Sequence, residues 1–507
     1  MALSILRLHP NDSVAVALRD LAEGEEIRQD GLRTTQGIPP GHKVAIHTIR
    51  VGEPILKFGQ VIGLASTDIF PGEHVHSHNL SYIPSAASHA MGNARQVLDD
   101  LPDIEDKMFM GYLRADGQAA TRNYIGVLTT VNCSATVARL IADRFRGTEM
   151  LADYPNVDGV VALTHKSGCA LSKSGETIDL LRRTIGGYAG HPNFAAVLLI
   201  GLGCEDNQIR SLLEHNDLVA DERLHTLYIQ DTGGTLATVN KAVEIIRSIL
   251  PDANAIVRQP LPVSHIKLGL QCGGSDGFSA LTANPALGIA SDLLVQQGGT
   301  SILSETPEIY GAENILLGRV ASEETGHKLL DLLSWWEKYA EQNRETLDSN
   351  PAPGNKAGGI TTILEKSLGA AAKGGRSDLM AVYHYAERVT QAGFVFMDTP
   401  GYDPVSVTGQ VAGGANLICF TTGRGSCFGC KPVPSLKLAT NTSLYLRMQD
   451  DMDLNCGQII DGDASLDDMG AQIYRLLIET ASGRRTKSEI LGYGDDEFAP
   501  WHFGATL

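Results

Sequence analysis

The sequence predicts an α/β protein with a small β-rich domain at its N-terminus, followed by two α/β domains with largely parallel sheets. Two observations lead to this prediction. Short apolar runs separated by glycine turns fill the start of the chain, whereas later apolar runs alternate with helical segments. With 507 residues and 43% hydrophobic content, the chain can build more than one core. We expect a β domain over 1–85, a linker over 86–107, and α/β domains over 108–258 and 259–507.

The β domain is predicted from strand-like runs and from a repeated turn. The runs are "SVAVAL", "KVAIHTI" and "VIGLAS". One pattern recurs three times, namely an apolar residue, a turn with Gly-Glu, and a second apolar residue. The three copies are "DLAEGEEI", "TIRVGEPI" and "DIFPGEHV". This recurrence predicts a small barrel with glycine turns at its corners.

The α/β domains are predicted from strands that run into polar or glycine-rich loops, with amphipathic helices between them. In the first domain the strands are "NYIGVLTTVNC", "VDGVVALTHKSGC" and "FAAVLLIGLGCE", and the helices are "SATVARLIADRF" and "TVNKAVEIIRSIL". The pattern restarts after "RQPLPVSH". It continues with strands in "IKLGLQCGGSDGFS", "TSILSETPE", "MAVYHY" and "NLICFTTGRG", and with the helix "GHKLLDLLSWWEKYAEQN". Alternating strands and helices favour parallel sheets.

Charge and composition exclude several classes of function. The net charge of −18 argues against nonspecific binding of nucleic acid and gives no support for attachment to anionic membranes. No apolar run is long enough to span a bilayer, and the start of the chain does not resemble a signal peptide. We therefore expect a cytoplasmic protein. Eight cysteines in such a chain are more typical of free thiols or metal ligands than of disulfides.

Four cysteines stand where predicted strands end. In open parallel sheets, ligands bind beyond the carboxyl ends of the strands, so we expect at least three of these thiols to face one cleft. Thiolates would favour iron, zinc or an iron–sulfur centre. The alternative is that each is a small buried core residue. The four are Cys133, Cys169, Cys204 and Cys272.

Other loops at strand ends carry polar groups that could hold a hydroxy acid. An arginine between two glycines is well placed to grip a carboxylate with both ends of its planar fork. Each of these side chains also has an ordinary interpretation as a turn residue. The candidates are Ser275, Asp276, Glu305, Glu308, Asn355, Lys356 and Arg424.

A histidine-rich stretch, "GEHVHSHN", leaves two interpretations open. His74, His76 and His78 occupy alternate positions, so an extended strand would place all three rings on one face. The stretch could be a solvated strand edge. Alternatively, two imidazoles could bind a divalent metal ion, with Glu73 and Asn79 as supporting partners. Two ligands do not complete a metal site, so further ligands would come from another domain or from a substrate.

Several motifs taken in order resemble the altronate and galactarate dehydratases, a family of sugar-acid dehydratases. They are "GEHVHSHN", "HKSGC", "GLGCE", "CGGSDGFSALTANP", "SETPE", "PAPGNKAGG", "EKSLG" and "TTGRG". The resemblance runs over nearly the whole chain. It implies that the first 85 residues form the SAF-type β domain that such enzymes carry at the N-terminus.

The resemblance also implies an activity and its cofactor. A hydro-lyase dependent on a divalent metal, Fe²⁺ first and Mn²⁺ or Mg²⁺ otherwise, would convert a sugar acid to a 2-keto-3-deoxy acid. His74 and His76 would bind the metal, with His78 outside the ligand set. His165 or Glu305 would act as base or acid. The substrate would be held by Ser275, Asp276, Asn355, Lys356 and Arg424.

Two further classes stay open at this stage. A dehydratase with an iron–sulfur cluster would use three of the four cysteines as ligands, leaving one iron open to a small 2-hydroxy acid. A non-catalytic protein that binds a sugar acid would use the same polar loops without turnover. In each case the partner is a small molecule, and we expect a homo-oligomer.

Overall fold

The computed structural model describes residues 3–27, 31–84, 90–98, 101, 104, 106–172 and 174–503. It confirms the predicted fold class, with a β-rich N-terminal unit followed by two α/β units with parallel sheets. Part of the predicted linker over 86–107 lies outside the described residues. Within the described ranges, no helix combines the length and apolarity that crossing a bilayer requires.

The N-terminal unit consists of short, mostly antiparallel strands around small apolar cores. Its sheets have the strand orders β1-β2-β5-β8, β3-β4 and β6-β7-β9. The predicted runs at "SVAVAL", "KVAIHTI" and "VIGLAS" form β2, β5 and β7. The strands are β1 (Ile5–Leu6), β2 (Val14–Ala17), β3 (Glu26–Ile27), β4 (Leu32–Arg33), β5 (Lys43–Ala45), β6 (Pro54–Lys57), β7 (Gln60–Ala65), β8 (His74–Val75) and β9 (Leu80–Ser81).

The repeated Gly-Glu turns share one local geometry. In each turn the glycine has a positive φ, which a side chain would disfavour. The glutamate that follows accepts a hydrogen bond from the backbone N–H three residues earlier, at 2.7 to 2.9 Å. The glycines are Gly24, Gly52 and Gly72, with φ of 75°, 82° and 87°. The glutamates are Glu25, Glu53 and Glu73, so Glu73 is occupied as a turn residue.

The N-terminal unit docks on the second α/β unit through a buried ion-pair network. Lys43 Nζ and Lys57 Nζ each lie 2.8 Å from a carboxylate oxygen of Glu365. All three side chains are at most 2% exposed. The same carboxylate accepts from the backbone N–H and the hydroxyl of Thr361. Burial lowers the pKa of Lys43 to about 8, whereas the two ammonium groups lower the pKa of Glu365 despite its burial.

Glycines allow the backbones of the two units to touch beside this network. A Cβ on Gly277 would lie 1.9 Å from the carbonyl oxygen of Gly41, and a Cβ on Gly359 would lie 2.4 Å from it. No side chain fits at such distances, because real Cβ atoms do not approach backbone oxygens so closely. These close approaches fix the turn before β5 against the loops of the α/β unit.

The first α/β unit has a parallel sheet in the order β13-β12-β14-β15 and a small antiparallel sheet in the order β11-β10-β16. Its strands are β10 (Met108–Leu113), β11 (Ala119–Ala120), β12 (Tyr124–Thr129), β13 (Gly159–Leu163), β14 (Phe194–Gly201), β15 (Leu224–Tyr228) and β16 (Gln259–Pro262). Its helices are α1 (Ala135–Asp143), α2 (Glu176–Ala189), α3 (Ile209–His215), α4 (Ile229–Thr232) and α5 (Thr235–Ala255).

The second α/β unit has seven parallel strands in the order β19-β20-β18-β17-β21-β22-β23. The strands are β17 (Lys267–Cys272), β18 (Thr300–Leu303), β19 (Leu379–Tyr383), β20 (Gly393–Met397), β21 (Leu417–Thr422), β22 (Ser435–Ala439) and β23 (Leu454–Asn455). The helices are α6 (Ala283–Gln296), α7 (Glu313–Leu317), α8 (Glu323–Gln342), α9 (Pro353–Ala357), α10 (Ile363–Ala372), α11 (Asp403–Ala412), α12 (Thr442–Arg447), α13 (Gln458–Asp461), α14 (Leu466–Ala481) and α15 (Lys487–Leu491).

The two α/β units share one continuous core. Buried side chains from the parallel sheet of the first unit and from the seven-stranded sheet belong to the same apolar cluster, in which Phe194, Leu268 and Phe396 are fully buried. A separate cluster covers the other face of the first sheet, under α1 and α5. Because its strands are parallel, each sheet has one edge at which the carboxyl ends of the strands meet and the following loops gather, as the alternation of strands and helices predicts.

Candidate active site

The carboxyl edge of the seven-stranded sheet carries a buried cluster of ionisable groups. Cys272 is the last residue of β17, and Glu305 follows the end of β18. The Cys272 Sγ lies 3.6 Å from Glu305 Oε2 and 3.7 Å from Glu308 Oε2. Lys373 Nζ lies 2.9 Å from the same sulfur and 3.1 Å from Glu305 Oε2. The ammonium of Lys373 thus compensates the carboxyl groups inside the protein.

A second lysine connects this cluster to a cleft. Lys366 Nζ donates to Glu308 Oε1 at 2.6 Å and to Asn350 Oδ1 at 2.7 Å. Cys272, Glu308, Lys366 and Asp403 line a cleft of about 430 Å³, which we call the acidic cleft. A cavity of this size can hold a sugar acid.

Burial raises the pKa values of acidic groups at this site. Burial, and then repulsion from Glu308, raises the pKa of Glu305. The same two causes raise the pKa of Asp403 to about 7. Burial raises the pKa of the Cys272 thiol to about 12, with Lys373 opposing the rise. Carboxyl groups with raised pKa values in a cleft are suited to proton transfer.

The backbone at Glu305 is in an unusual conformation. Its φ is 70°, in the left-handed region that non-glycine residues rarely adopt. Thr399 holds it there, because its hydroxyl accepts from the Glu305 backbone N–H at 2.9 Å. Gln271 Nε2 donates to the Glu305 carboxylate at 2.7 Å. Strain of this kind persists where surrounding contacts enforce it, and such sites are often functional.

The histidine stretch forms a cluster with a fourth histidine that the sequence analysis did not include. The rings of His42, His74 and His76 have centroids 5.1 to 5.4 Å apart. His42 Nδ1 lies 2.9 Å from His74 Nε2. His78 stands at the outside of the cluster, with its ring centroid 5.5 Å from that of His74.

The conformation of this stretch differs from the predicted extended strand. Strand β8 ends at Val75, and residues 76–79 turn. The turn is held by Asn79, whose Oδ1 accepts from the His76 backbone N–H at 2.9 Å and whose Nδ2 donates to the His74 carbonyl at 3.0 Å. The rings gather because the turn folds the chain back, and because β5 and β8 pair, placing His42 beside His74.

The hydrogen bonds of the cluster determine its tautomers. His42 Nε2 faces the carbonyl of Ala357 at 3.2 Å, and His76 Nε2 faces the carbonyl of Lys356 at 2.9 Å. Carbonyls only accept, so these nitrogens carry hydrogen and each neutral ring keeps a lone pair on Nδ1. Burial lowers the pKa of His42 to about 4 and that of His74 to about 3. Neutral rings held by carbonyls are typical of metal ligands.

Arg424 lies in a neighbouring cavity of about 420 Å³, which we call the arginine cleft. Its side chain is exposed, and its backbone N–H donates to the Gly274 carbonyl at 2.9 Å. Ala357 and Gly358 line the arginine cleft, whereas Asn355 lines the acidic cleft. The histidine cluster therefore binds the carbonyls of the segment that separates the two clefts.

The other predicted substrate-binding residues have defined places. Asp276 is buried and accepts from the backbone N–H groups of Phe278 and Ser279, so it organises its own loop. Asn355 Nδ2 donates to the carbonyl of Ser275 at 2.9 Å. Ser275 is buried beside Asp276, and Lys356 is half-buried on the segment between the clefts. Asp276 lines the arginine cleft and Asn355 the acidic cleft, whereas Ser275 and Lys356 are not among the described residues that line either.

His165 and three of the four cysteines lie at the carboxyl edge of the other sheet. His165 follows β13 and is buried; its Nε2 bonds to the Thr129 carbonyl at 2.9 Å, and its Nδ1 accepts from the Ser167 backbone N–H at 3.2 Å. Burial lowers its pKa to about 4. Cys272 belongs to the seven-stranded sheet. The exposed thiols of the first sheet are Cys133, Cys169 and Cys204.

Two groups of residues could hold a metal ion. Cys272, Glu305 and Glu308 each offer a ligand atom within 4.8 Å of the others. Lys373 already places its ammonium 2.9 Å from the sulfur, so a cation there would meet a positive charge. The imidazoles of the histidine cluster suit a divalent ion, but His42 Nδ1 faces His74 Nε2 at 2.9 Å and His76 Nδ1 faces the Ser77 hydroxyl at 3.0 Å, so an ion would replace these hydrogen bonds.

Sequence reasoning missed His42, Lys366, Lys373 and Asp403. His42 follows the "PPG" turn, and its only sequence signal was its position directly before a strand. Lys366 stands inside "EKSLG", a motif that was noted without assigning this residue a role. Lys373 and Asp403 gave no local signal, because their partners are far away in the chain.

A buried carboxyl and lysine cluster at the carboxyl edge of an open parallel sheet defines an α/β enzyme equipped for proton transfer. Three ranges that together span most of the chain match models of one family. Residues 3–82 match the altronate/galactarate dehydratase SAF domain, and residues 111–254 match the second domain of D-galactarate dehydratase/altronate hydrolase. Residues 263–506 match the C-terminal domain of D-galactarate/altronate dehydratase. The chain belongs to the altronate/galactarate dehydratase family and is a hydro-lyase.

Curated relatives agree with this family. The chain is 35% identical to altronate dehydratase of Bacillus subtilis, covering 99% of this chain and 100% of that protein. It is 37% identical to the L-threo-forming galactarate dehydratase of Escherichia coli, covering 95% of this chain and 93% of that protein. It is also 29% identical to the beta subunit of (2R)-sulfolactate sulfo-lyase of Chromohalobacter salexigens, covering 77% of this chain and 97% of that subunit.

Proposed function

We propose that this protein removes water across C2 and C3 of an altronate- or galactarate-like sugar acid. The enol that results would become a 2-keto-3-deoxy acid. One observation carries the proposal, namely the acidic cleft, where Asp403, Glu308 and Lys366 surround a space of suitable size. The names of the relatives support a sugar acid as the substrate.

The reaction needs a base at C2, an acid for the departing hydroxyl, and positive charge for the developing enolate. Asp403, with its pKa raised to about 7, can take or give a proton near neutral pH. Lys366 is fixed by Glu308 and supplies positive charge at the cleft wall. Of the two candidates from the sequence, we favour Glu305 over His165, because both ring nitrogens of His165 are held by the backbone.

We further propose that the histidine cluster binds the divalent metal, with His42 joining His74 and His76. A bound Fe²⁺, Mn²⁺ or Mg²⁺ would supply Lewis acidity towards substrate oxygens. Fe²⁺ is favoured by imidazole ligands over Mg²⁺, which prefers oxygen. In this proposal His78 is outside the ligand set, and Asn79 keeps His74 and His76 oriented.

We propose that Arg424 binds the substrate carboxylate, because its side chain is exposed and its backbone N–H donates to the carbonyl of Gly274, a residue that lines the acidic cleft. Lys356 and the loop of Ser275 and Asp276 would contact hydroxyl groups. Asn355 would contribute mainly by holding that loop, since its amide already donates to the Ser275 carbonyl.

A second candidate function uses an iron–sulfur cluster. Three exposed thiols at one sheet edge favour this alternative, whereas Cys272 is buried on the other sheet. Cys133, Cys169 and Cys204 would ligate the cluster and leave one iron for the substrate. Anaerobic purification followed by visible absorption and iron and sulfide analysis tests it. A colourless, active protein would rule the cluster out.

A turnover screen tests the main proposal. Metal-free protein would be given Fe²⁺, Mn²⁺ or Mg²⁺ with aldonates, aldarates and small 2-hydroxy acids, and 2-keto acid would be measured. We expect turnover of a six-carbon sugar acid, highest with Fe²⁺. Tight binding of a sugar acid without turnover under every metal would instead support the non-catalytic alternative.

A further inference from the structure

A cavity of about 360 Å³ lies between the two α/β units, at the amino ends of their strands. Pro192 lines it shortly before β14, Lys267 is the first residue of β17, and Asn416 directly precedes β21. The acidic cleft is at the opposite, carboxyl end of β17. Cys272 is five positions further along that strand than Lys267, which corresponds to about 16 Å.

The charged side chains that line this cavity are all basic. They are Arg183, Lys267 and Arg388, and His191 and His265 also line it. Among the described residues that line the cavity there is neither aspartate nor glutamate. Such a concentration of positive charge is unexpected in a protein whose net charge is −18.

Residues behind the walls add to this excess. Arg114 Nε donates to the Pro192 carbonyl at 2.7 Å, and its buried Nη1 has no hydrogen-bond partner within the described ranges. Arg223 donates to the His191 carbonyl at 3.1 Å. Asp116 lies 3.4 Å from Arg223 and also attracts Arg388, so one carboxylate faces several cations.

The cations keep donors for a ligand. Arg183 uses Nη1 to reach the Tyr385 carbonyl at 3.0 Å, which leaves its other N–H groups. Lys267 Nζ donates one hydrogen bond to the Val389 carbonyl at 2.6 Å. Arg388 is exposed, and its side chain makes no hydrogen bond to the part of the chain that the structure describes. Repulsion from Arg388 adds to burial in lowering the pKa of Lys267.

The remaining wall favours a small ligand. Helix α2 contributes Gly186 and Gly187, and the end of α11 contributes Gly413 and Gly414. A Cβ on Gly187 would lie 2.3 Å from the carbonyl of Ala412, so the two units meet closely here. Among the described residues that line the cavity there is no Phe, Tyr or Trp, and its only aromatic rings are the imidazoles of His191 and His265.

We propose that this cavity is a second anion site, separate from the catalytic clefts, for a small multiply charged anion such as a phosphate or a dicarboxylate. The anion would neutralise cations from both α/β units and hold the units together. Because β17 runs from this site to Cys272, an anion here is placed to influence the acidic cleft through the sheet.

Isothermal titration with inorganic phosphate and, separately, with succinate tests the proposal at constant ionic strength. We expect saturable binding of at least one of them at one site per chain, together with a higher Tm. Arg388→Gln should weaken binding at least about tenfold, because a charge-assisted hydrogen bond is lost. The matched control is Arg210→Gln, at an exposed arginine that pairs with Glu214 on its own helix. It should leave binding unchanged.

Two outcomes would overturn the proposal. One is the absence of saturable binding of either anion by the unmodified protein. The other is binding that persists in Arg388→Gln but disappears in Arg424→Gln, which would place the anion in the arginine cleft. Tighter binding of phosphate than of succinate, or the reverse, identifies which anion chemistry the site prefers.

Discussion

The two parallel sheets carry cysteines at the same edge but surround them differently. In the first sheet Cys133, Cys169 and Cys204 are exposed. Both ring nitrogens of His165, at the same edge, are hydrogen-bonded to the backbone. In the seven-stranded sheet Cys272 is buried among two carboxyl groups and Lys373. The comparison shows that position at a strand end does not by itself create reactive chemistry. Burial beside other charged groups raises the pKa of Glu305 and brings that of Asp403 to about 7, whereas it moves the pKa of the Cys272 thiol away from neutral pH.

A second difference is the cover over each edge. The N-terminal unit docks near the edge of the seven-stranded sheet through Lys43, Lys57 and Glu365. It brings its histidine cluster to the segment between the two clefts. The thiols of the first sheet are exposed in the same structure. Leu18, Pro39 and Pro40 of the N-terminal unit line the arginine cleft, so this unit covers part of the edge of the seven-stranded sheet.

The largest expected effect tests the contrast between the two sheet edges directly. Asp403→Asn keeps the shape of the side chain but cannot transfer a proton. We expect kcat/KM for the sugar acid to fall about 10² to 10⁴-fold, the range typical of a lost acid–base group. Cys133→Ser is the matched change at the other edge and should leave kcat/KM within about twofold. A large loss in Cys133→Ser with none in Asp403→Asn would assign the chemistry to the first sheet.

The next largest effect is expected from removing the buried carboxylate of Glu365, which lies under the N-terminal unit. Glu365→Gln leaves Lys43 and Lys57 buried without their counter-charge. Breaking a buried ion pair in this way typically costs about 3–5 kcal/mol. Urea unfolding should show that loss of stability. Arg210→Gln, at an exposed pair, should change stability by less than about 1 kcal/mol. Equal stabilities of Glu365→Gln and the unmodified protein would contradict the docking role.

The same carboxylate gives a pH dependence with a defined sign. The two ammonium groups lower the pKa of Glu365 in the folded state, so its contribution to stability is complete above the unfolded pKa, about 4.3. The contribution is lost as the pH falls from there towards the folded pKa. The stability difference between the unmodified protein and Glu365→Gln should therefore narrow below about pH 4. A difference that widens there would contradict this assignment.

The histidine cluster supplies the third test. We expect His42→Ala, His74→Ala and His76→Ala to lose bound Fe²⁺ and turnover at ordinary metal concentrations. The loss of affinity should exceed the about 10–100-fold that is typical of residues outside the ligand set. His78→Ala should be milder. Metal content after dialysis, measured beside kcat, separates lost metal from lost fold. Unchanged metal content in the first three variants would leave the cysteines as the better ligands.

The smallest expected effect concerns Arg424. Arg424→Lys keeps the charge but replaces a planar fork by a point charge, so two parallel hydrogen bonds to a carboxylate are lost. We expect kcat/KM to fall about tenfold or more, with stability unchanged because the side chain is exposed. Near-normal kcat/KM would place the substrate carboxylate elsewhere.

The sequence predicted the fold well because its signals are local. Apolar runs such as "KVAIHTI" and "FAAVLLIG" correspond to β5 and β14, and the Gly-Glu repeat corresponds to turns with positive φ. The site was predicted only in part. Glu305 was recognised at the end of a strand, but Lys373, 68 residues later, was not. Nothing in the periodicity of α10 marks a lysine at its end as buried.

The histidine cluster could not be predicted in full for the same reason, namely that its contacts are long-range. The alternation of His74, His76 and His78 predicted one extended strand, but the chain turns after Val75. The cluster depends on the pairing of β5 with β8 and on carbonyls from a segment more than 270 residues away. Such long-range pairings are set by the packed fold, so local patterns do not contain them.

The buried contact between the N-terminal unit and the rest of the chain has a consequence for how the gene could be divided. The contact uses side-chain ion pairs, a hydrogen bond from Lys43 Nζ to the Gly359 carbonyl, and the close approach of Gly41 to Gly277 and Gly359. None of these requires the two parts to belong to one polypeptide. Covalent connection adds only a high local concentration, which short flexible linkers set in the millimolar range. Two separately encoded polypeptides with these surfaces could therefore assemble the same enzyme by complementation.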